Sequence, residues 1–531
     1  MNSITEAEAL VASIFSFSAR FHAGEKDESL WSYFPAPSYF AKIASKRIED
    51  ALGPYDETPP PLWLLQASVL DTFYRLTRSV RSSSWRATGN LVRLAYDLGL
   101  HLVDVDGQRR DSQGNIDVEF WSAQEEQRRC WWAIWELDVY ASTIRRLPLG
   151  MHWSQTYTLL PIHDSDWFEN RYRPSCRLPQ DATTRSETLL ASGNTSPRAW
   201  FIAVSSLMHD AQQLAYTPET NQDLTGSQKA QQLAGIANCL SHTTTALPAG
   251  LRYLGETLDF RTKAAPSEAS LRQHHADIFS IHMVTQLTRF MLYHQRVHAV
   301  SQTSPGVHGS PASHSQGEQA AADDAAWTNY MEASEAIVTL VRNSAPDSYK
   351  YLNPLVAHAA LWFAATAQST YLGRSRYSKT LAASNYELLA RFIEQCVGFW
   401  GSAEILRPRL GKSEAAALDN LMHTPEQQRD GSHGAGRAGG GGDAEMETPP
   451  MMNSDSTGHG APGYADLVGM QVGGDGGLDG PQQAGTLSFL PMLQERPLMS
   501  QLGSFEDLEY LFPYGVDNAS GQGSDNPPPA V

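Results

Sequence analysis

Residues 125–138 read Glu125-Glu-Gln-Arg128-Arg129-Cys-Trp131-Trp132-Ala-Ile-Trp135-Glu-Leu137-Asp138, and neither glycine nor proline interrupts them. Just upstream, Ser122 and Glu125 have the spacing of a capping box, in which the two side chains satisfy each other's orphan amides at a helix start. A helix from Ser122 to about Ser142 is therefore expected. On it Glu125 and Arg129 stand four apart on one face, a pairing worth a few tenths of a kcal/mol on an exposed helix. Trp131, Trp135 and Leu137 supply large apolar contact. Those roles account for the stretch as scaffold.

The neighbouring sequence repeats the same period. Leu62, Val69, Phe73, Leu76 and Val80 form one stripe behind Pro59-Pro60-Pro61, a run suited to a helix start, with Arg75, Arg78 and Arg81 on the other side. Ala87, Leu91, Leu94, Ala95 and Leu98 recur at spacings of three and four and stop at Gly99, the residue that best tolerates a left-handed cap. Further helices are expected at 200–216, 273–300, 327–342, 351–372 and 385–406. The alternating β-branched runs that mark strands are scarce, so the fold class is all-α: a multi-helix array followed by a disordered acidic C-terminal tail.

Composition narrows the function. Forty basic residues face 58 acidic ones, a formal net charge of −18, the wrong sign for a bulk surface that grips phosphates. Cys130, Cys176, Cys239 and Cys396 lie far apart without a CxxC pair and read as reduced, mostly buried thiols. The N-terminal residues carry Glu6 and Glu8 where a signal peptide would have lysines. The longest apolar run, Leu355 to Ala367, includes His358 and falls short of the ~20 residues of a membrane span. No GxSxG, phosphate loop or Rossmann fingerprint occurs. His294 and His298 lie one helical turn apart, as metal ligands can, but neither a third ligand nor an HExxH motif is present. His163, Asp164 and Asp166, and the acidic run Asp104, Asp106, Asp111, Asp117 and Glu119, read as solvated loop carboxylates rather than cation sites.

Three motifs resemble the middle domain of fungal zinc-cluster transcription regulators. Leu94-Ala-Tyr-Asp-Leu98-Gly99-Leu100-His101 is similar to that family's "A…LGLH" helix end. Residues 125–138 resemble its "E…RRR.WW.ly.lD" helix, the most specific of the three. Pro148 and Leu160-Pro161-Ile-His-Asp-Ser-Asp166 resemble the trailing loop and "LP…D" element, although the family's usual Gly-Arg-Pro is here Arg146-Leu147-Pro148. Fainter echoes lie at Met291–Arg296 and Phe399–Ala403, so the resemblance covers roughly 60–410. It marks Gly99, His101, Glu125, Arg128, Arg129, Trp131, Trp132, Asp138 and Pro148 as family-motif residues.

The resemblance implies a nuclear transcription regulator without catalytic residues, serving a metabolic pathway or gene cluster. The family's DNA reader, six cysteines around two zinc ions, is not among these residues. No cofactor is therefore expected in this chain, and zinc enters only if such a module exists outside it. Either the chain belongs to a longer product or it reaches DNA through a DNA-binding partner protein. No membrane partner is expected.

The resulting domain plan is an N-terminal helical segment at 1–60, the regulatory domain at 61–410 with a flexible insertion at 301–325, a disordered Gly-rich linker at 427–486 and an acidic activation segment at 487–515. From Arg429 onward three basic residues stand against fourteen acidic ones. Within that tail Phe505, Leu508, Leu511 and Phe512 alternate with acids, the composition of an amphipathic segment that docks in a groove of a coactivator or of the transcription machinery. The competing readings are a tail helix folded back on its own domain, a corepressor-like helical scaffold without activating function and, more distantly, an all-α metal-dependent enzyme using His294 and His298.

Overall fold

A computed structural model describes residues 3–22, 35–110, 112–217, 226–260, 266–302, 314–374, 379–402 and 493–494, all within one unit of the chain. The fold is all-α. Among the described residues extended pairing is confined to two residues, Phe21–His22 parallel to Leu493–Gln494, and two isolated bridges.

The helices in chain order are α1 (Ser3–Ser18), α2 (Pro37–Leu52), α3 (Leu62–Arg78), α4 (Ser82–Asp97), α5 (Val118–Arg145), α6 (Asp164–Phe168), α7 (Arg185–Ser192), α8 (Pro197–Tyr216), α9 (Gly226–Ala246), α10 (Pro266–Gln302), α11 (His314–Arg342), α12 (Pro354–Arg374) and α13 (Lys379–Trp400). The two stripes lie within helices except for their last residues, Val80 beyond the end of α3 and Leu98 at the cap of α4. Three were not foreseen: α6 and α7, too short to show a period, and α9, whose polar sequence buries only four of its residues. Of the stretch 301–325, residues 314–325 belong to α11 and 303–313 lie outside the described residues.

Local chemistry fixes the boundaries. Pro61 caps α3 in the extended conformation, and the helix buries residues all round its circumference, which makes it a core helix rather than a one-sided surface helix. Gly99 closes α4 at φ +69°. The expected capping box at Ser122 is corrected: α5 begins four residues earlier, where Asp117 accepts a hydrogen bond from Phe120 N. Glu125 is thereby freed for a different role.

One apolar core runs from Phe21 to Val397. α5 is its central rod, enclosed from Arg128 to Thr143 except at the part-exposed Arg129, with Trp131, Trp132 and Trp135 fully inside. On one side α3 and α4 pack against α5, and α1 and α2 cover α3. On the other stands α8, which packs most closely on α10, and α10 leads into the bundle of α11, α12 and α13.

Candidate regulatory site

The family-motif residues converge on α5 and the two segments folded over it. Arg128 is almost wholly buried. Its Nε donates to Asp104 Oδ2 at 2.9 Å, and its Nη1 to Glu125 Oε2 at 3.2 Å. Arg129 donates to Glu125 Oε1 at 3.0 Å and to the Ile162 carbonyl at 2.9 Å, pairs with Asp164, and lies 4.4 Å over the Trp167 ring. Glu125 Oε1 also accepts from Ile162 N at 3.0 Å, and Asp104 Oδ2 from Leu159 N at 2.8 Å. Two guanidinium groups and three carboxylates thus clamp residues 100–104 and 159–164 onto the helix.

The electrostatics follow from this enclosure. Burial pushes the Glu125 carboxyl above its ordinary value, with Arg129 and Arg128 only partly opposing it. Burial also works against the charged Arg128, but hydrogen bonds and charge from Asp104 outweigh it and hold that guanidinium above its usual range. Two expectations are corrected here. Asp104 is buried against Arg128, and the part-exposed Asp164 is held by Arg129 rather than free in the loop, because an enclosed guanidinium requires a carboxylate. The Glu125–Arg129 pair is likewise no surface pair, since Glu125 is 0% exposed.

Most of the remaining motif residues also face inward. Asp138 Oδ2 accepts from Gly150 N at 2.8 Å and Met151 N at 3.1 Å, pinning the loop after α5, and burial raises its carboxyl to about 6. Trp132 Nε1 donates to the Leu159 carbonyl at 2.7 Å. The His101 ring lies 4.9 Å from Tyr96 and 6.1 Å from Trp131, and burial lowers its pKa. Pro148 is exposed, with only its carbonyl turned back toward Ser142 Oγ at 3.4 Å.

The loop before Pro148 gives the family departure a structural meaning. Arg146, standing where the family usually has Gly, caps α5 at φ 55°, ψ 43°, a left-handed conformation that glycine adopts freely. Its N–H and that of Leu147 close the cap onto the carbonyls of Thr143 and Ser142. The guanidinium extends back to 4.0 Å above the Tyr216 ring on α8.

α5 and α8 run in the same direction, joined along their length by side chains: Glu136 with Arg198, Tyr140 toward Ser205, Thr143 Oγ1 with Met208 Sδ at 3.6 Å, and Arg146 over Tyr216. Asn353, just before α12, donates to Glu136 Oε1 at 2.7 Å. None of the α8 residues or Asn353 was anticipated. Only the burial of a charged Glu136 could have signalled that partners were needed.

Among the described residues no group of three or more His, Cys, Asp or Glu could hold a metal ion. His294 Nδ1 meets Tyr330 Oη at 3.1 Å, while the side chain of His298 lies outside the described residues. Asp166 pairs with Arg171 and Arg173, and His163 Nδ1 caps α6. All four cysteines are free thiols, three of them buried. No described helix is long and apolar enough to cross a membrane. Phe505, Leu508, Leu511 and Phe512 lie outside the described residues.

Comparison with known proteins gives one family. The model of the fungal specific transcription factor domain matches residues 2–297. Over 135 residues the chain is 27% identical to the tropolone cluster transcription factor tropK of Talaromyces stipitatus, covering 25% of this chain and 23% of that protein. Over 112 residues it is 28% identical to the transcription factor tazR of Aspergillus terreus, covering 21% and 17%. An uncharacterized transcriptional regulatory protein of Schizosaccharomyces pombe is 31% identical over 97 residues, covering 18% and 15%. The match spans less than a quarter of each relative's length. No solved structure matches this chain.

Proposed function

The chain belongs to the fungal-specific transcription factor domain family, and from that premise we propose that it is a nuclear transcriptional activator whose helical region receives a signal and whose acidic tail recruits the transcription machinery. The observation that carries this reading is where the motif residues point. Glu125, Arg128, Arg129 and Asp138 bond to one another and to the backbone of folded-over loops. Groups engaged in this way act as scaffold, so an output to the machinery has to leave from another segment. The tail has the composition for it, since acids keep Phe505, Leu508, Leu511 and Phe512 solvated and available to a coactivator groove. DNA is reached through a zinc-cluster module outside these residues or through a DNA-binding partner, and control of a metabolic gene cluster is the role assigned to it.

A reporter assay tests the division of labour. Residues 1–531, 1–428 and 429–531 are each fused to an unrelated DNA-binding domain, and the two fusions carrying the tail are expected to activate while 1–428 does not. Activation by none of the three overturns the activator reading in favour of a corepressor-like scaffold. Activation by 1–428 alone moves the output to the helical region.

A further inference from the structure

Charge is unevenly spread along this chain. The stretch between Asp71 and Asp97 holds Arg75, Arg78, Arg81, Arg86 and Arg93 and no acidic residue, in a chain whose net charge is −18. Arg75 is paired, its Nε meeting Asp71 Oδ2 at 2.7 Å. Arg78, Arg81, Arg86 and Arg93 are all exposed, and among the described residues none of them enters an ion pair. Arg93 gives one N–H to the Gly89 carbonyl of its own helix at 2.9 Å, which leaves most of its five donors for another partner.

The fold gathers these groups on one side. α4 buries Ser84, Thr88, Leu91, Val92 and Ala95 and packs on α3 and α5. Its opposite side carries Ser82, Arg86, Asn90 and Arg93, spaced by four, four and three residues and all exposed, so they form a single row. Arg81 stands at the start of the same helix, and Arg78 is the last residue of α3, just across the turn. Beneath that turn Arg145 donates to the Val80 carbonyl at 3.2 Å and lies 5.8 Å over the Trp85 ring, which fixes where the corner sits.

We propose that the exposed row of α4, with the two arginines at its corner, is a contact surface for the phosphate backbone of duplex DNA. The side chains select the occupant. Serine and asparagine as well as arginine donate hydrogen bonds, and donors of these kinds are what proteins place against phosphate oxygens, with guanidinium groups able to take two oxygens at once. An acidic amphipathic peptide such as the tail would also need a groove for its aromatic and aliphatic anchors, and no large hydrophobic residue from 78 to 97 is exposed. From Arg81 to Arg93 the row runs about 18 Å. Over that length a duplex presents on the order of ten phosphate charges, enough to engage every arginine of the row. Phosphate contacts carry no sequence information directly, so base reading stays with the module or partner invoked above, and this face adds affinity and orientation beside it.

Anisotropy of a short labelled duplex of arbitrary sequence, titrated with the full chain between about 50 and 200 mM salt, tests the surface. Four phosphate contacts predict a slope of log affinity against log salt of about −3.6. Arg86→Gln with Arg93→Gln should bring that slope to about −1.8 and weaken binding at low salt by roughly tenfold or more. Arg171→Gln with Arg173→Gln removes the same charge at exposed positions already paired with Asp166, and should leave the slope unchanged. If the α4 double variant fails to fold, Arg81→Gln carries the comparison, its slope falling by about one. The proposal is overturned if the duplex does not bind at low salt, or if the two double variants weaken it equally. It is also overturned if a peptide of residues 500–515 binds in place of the duplex and loses affinity in the α4 variant, which would give the face to the acidic tail. Binding is read without transcription: a flat titration beside an intact reporter pattern removes this surface and leaves the activator reading standing, and the reverse pattern does the opposite.

Discussion

Arg128 lies within α5 and Arg146 caps it, but one ends on two buried carboxylates and the other on a tyrosine ring. Around Arg128 every charge is answered: Asp104, Glu125, Arg129 and Asp164 each have a named partner, and the leftover carboxylate oxygens take the amides of Leu159 and Ile162. On α8, which meets α5 along a seam, the polar groups are not all paired: His209 Nδ1 and Gln212 Oε1 are buried without a hydrogen-bond partner. A buried network in which each member is satisfied rigidifies what it touches. One left unfinished keeps hydrogen-bonding capacity in reserve for something else. The comparison separates a part of the molecule whose buried polar groups are all paired from a part where some are not.

The largest effect should come from the finished side. Arg128→Met leaves Asp104 buried without its cation and Glu125 with Arg129 alone, and breaking a buried pair by removing one partner costs about 3–5 kcal/mol. Urea unfolding should register that loss as a lower midpoint. A loss under about 1 kcal/mol would show that water reaches the network and that it is no different in kind from the seam.

Asp138 lies between the two sides: its carboxylate is met by backbone amides but by no cation named here, and burial raises it from 3.8 to about 6. The folded state therefore holds this proton more tightly than the unfolded chain. Its contribution to stability rises as pH falls from 7 through 6 toward 4, by up to about 2–3 kcal/mol. His358, fully buried on α12, behaves oppositely: burial lowers it from 6.5 to about 4, so its contribution is complete above 6.5 and is lost as pH falls. Stability measured from pH 7 to 4.5 should thus lose its acid-side gain in Asp138→Asn and its acid-side loss in His358→Leu. Parallel shifts in both variants would sink the assignment of opposite signs.

On the seam itself the ion pair is half open. Arg198 is 35% exposed while Glu136 is 5% exposed and keeps Asn353 as a second partner. Arg198→Met should therefore cost about 1–2 kcal/mol, clearly less than Arg128→Met. Equal losses in the two variants would erase the distinction between a finished and an unfinished side.

The sequence made the scaffold legible and left the seam dark, for a physical reason. Helical periods at 62–80 and 87–98 report which faces are apolar, and with the large apolar residues of α5 that sufficed for the fold class, for Gly99 as a cap and for the inward role of Trp131 and Trp135. Periodicity does not report which distant loop comes to rest on a charged group. Asp104 lies 24 residues from Arg128 and Asp164 lies 35 from Arg129, so both looked like ordinary loop acids. The capping box at Ser122 misled because Glu125 had the right spacing for a helix start while the fold used it inside the helix. Ser205, His209 and Gln212 gave no signal: in a list of residues they look like the polar face of a surface helix, and only the position of α8 beside α5 makes them buried.

The smallest expected effect tests how the finished side was assembled. Gly99 ends α4 at φ +69°, ψ 19°, and its carbonyl accepts from Leu102 N at 2.9 Å as the chain turns to deliver Asp104 to Arg128. A Cβ added there would meet nothing within 4 Å, so Gly99→Ala probes backbone preference alone. An alanine in this conformation costs about 1 kcal/mol, and asparagine, which tolerates it better, costs less. Urea unfolding with an unchanged slope should rank Gly, then Asn, then Ala within that narrow range. If alanine instead removed as much stability as Arg128→Met, the turn and the ion network would be one cooperative element, with the glycine positioning Asp104 rather than merely permitting the turn. A small, graded loss means that the paired carboxylates hold the turn in place and that the clamp, not the cap, decides where residues 100–104 lie.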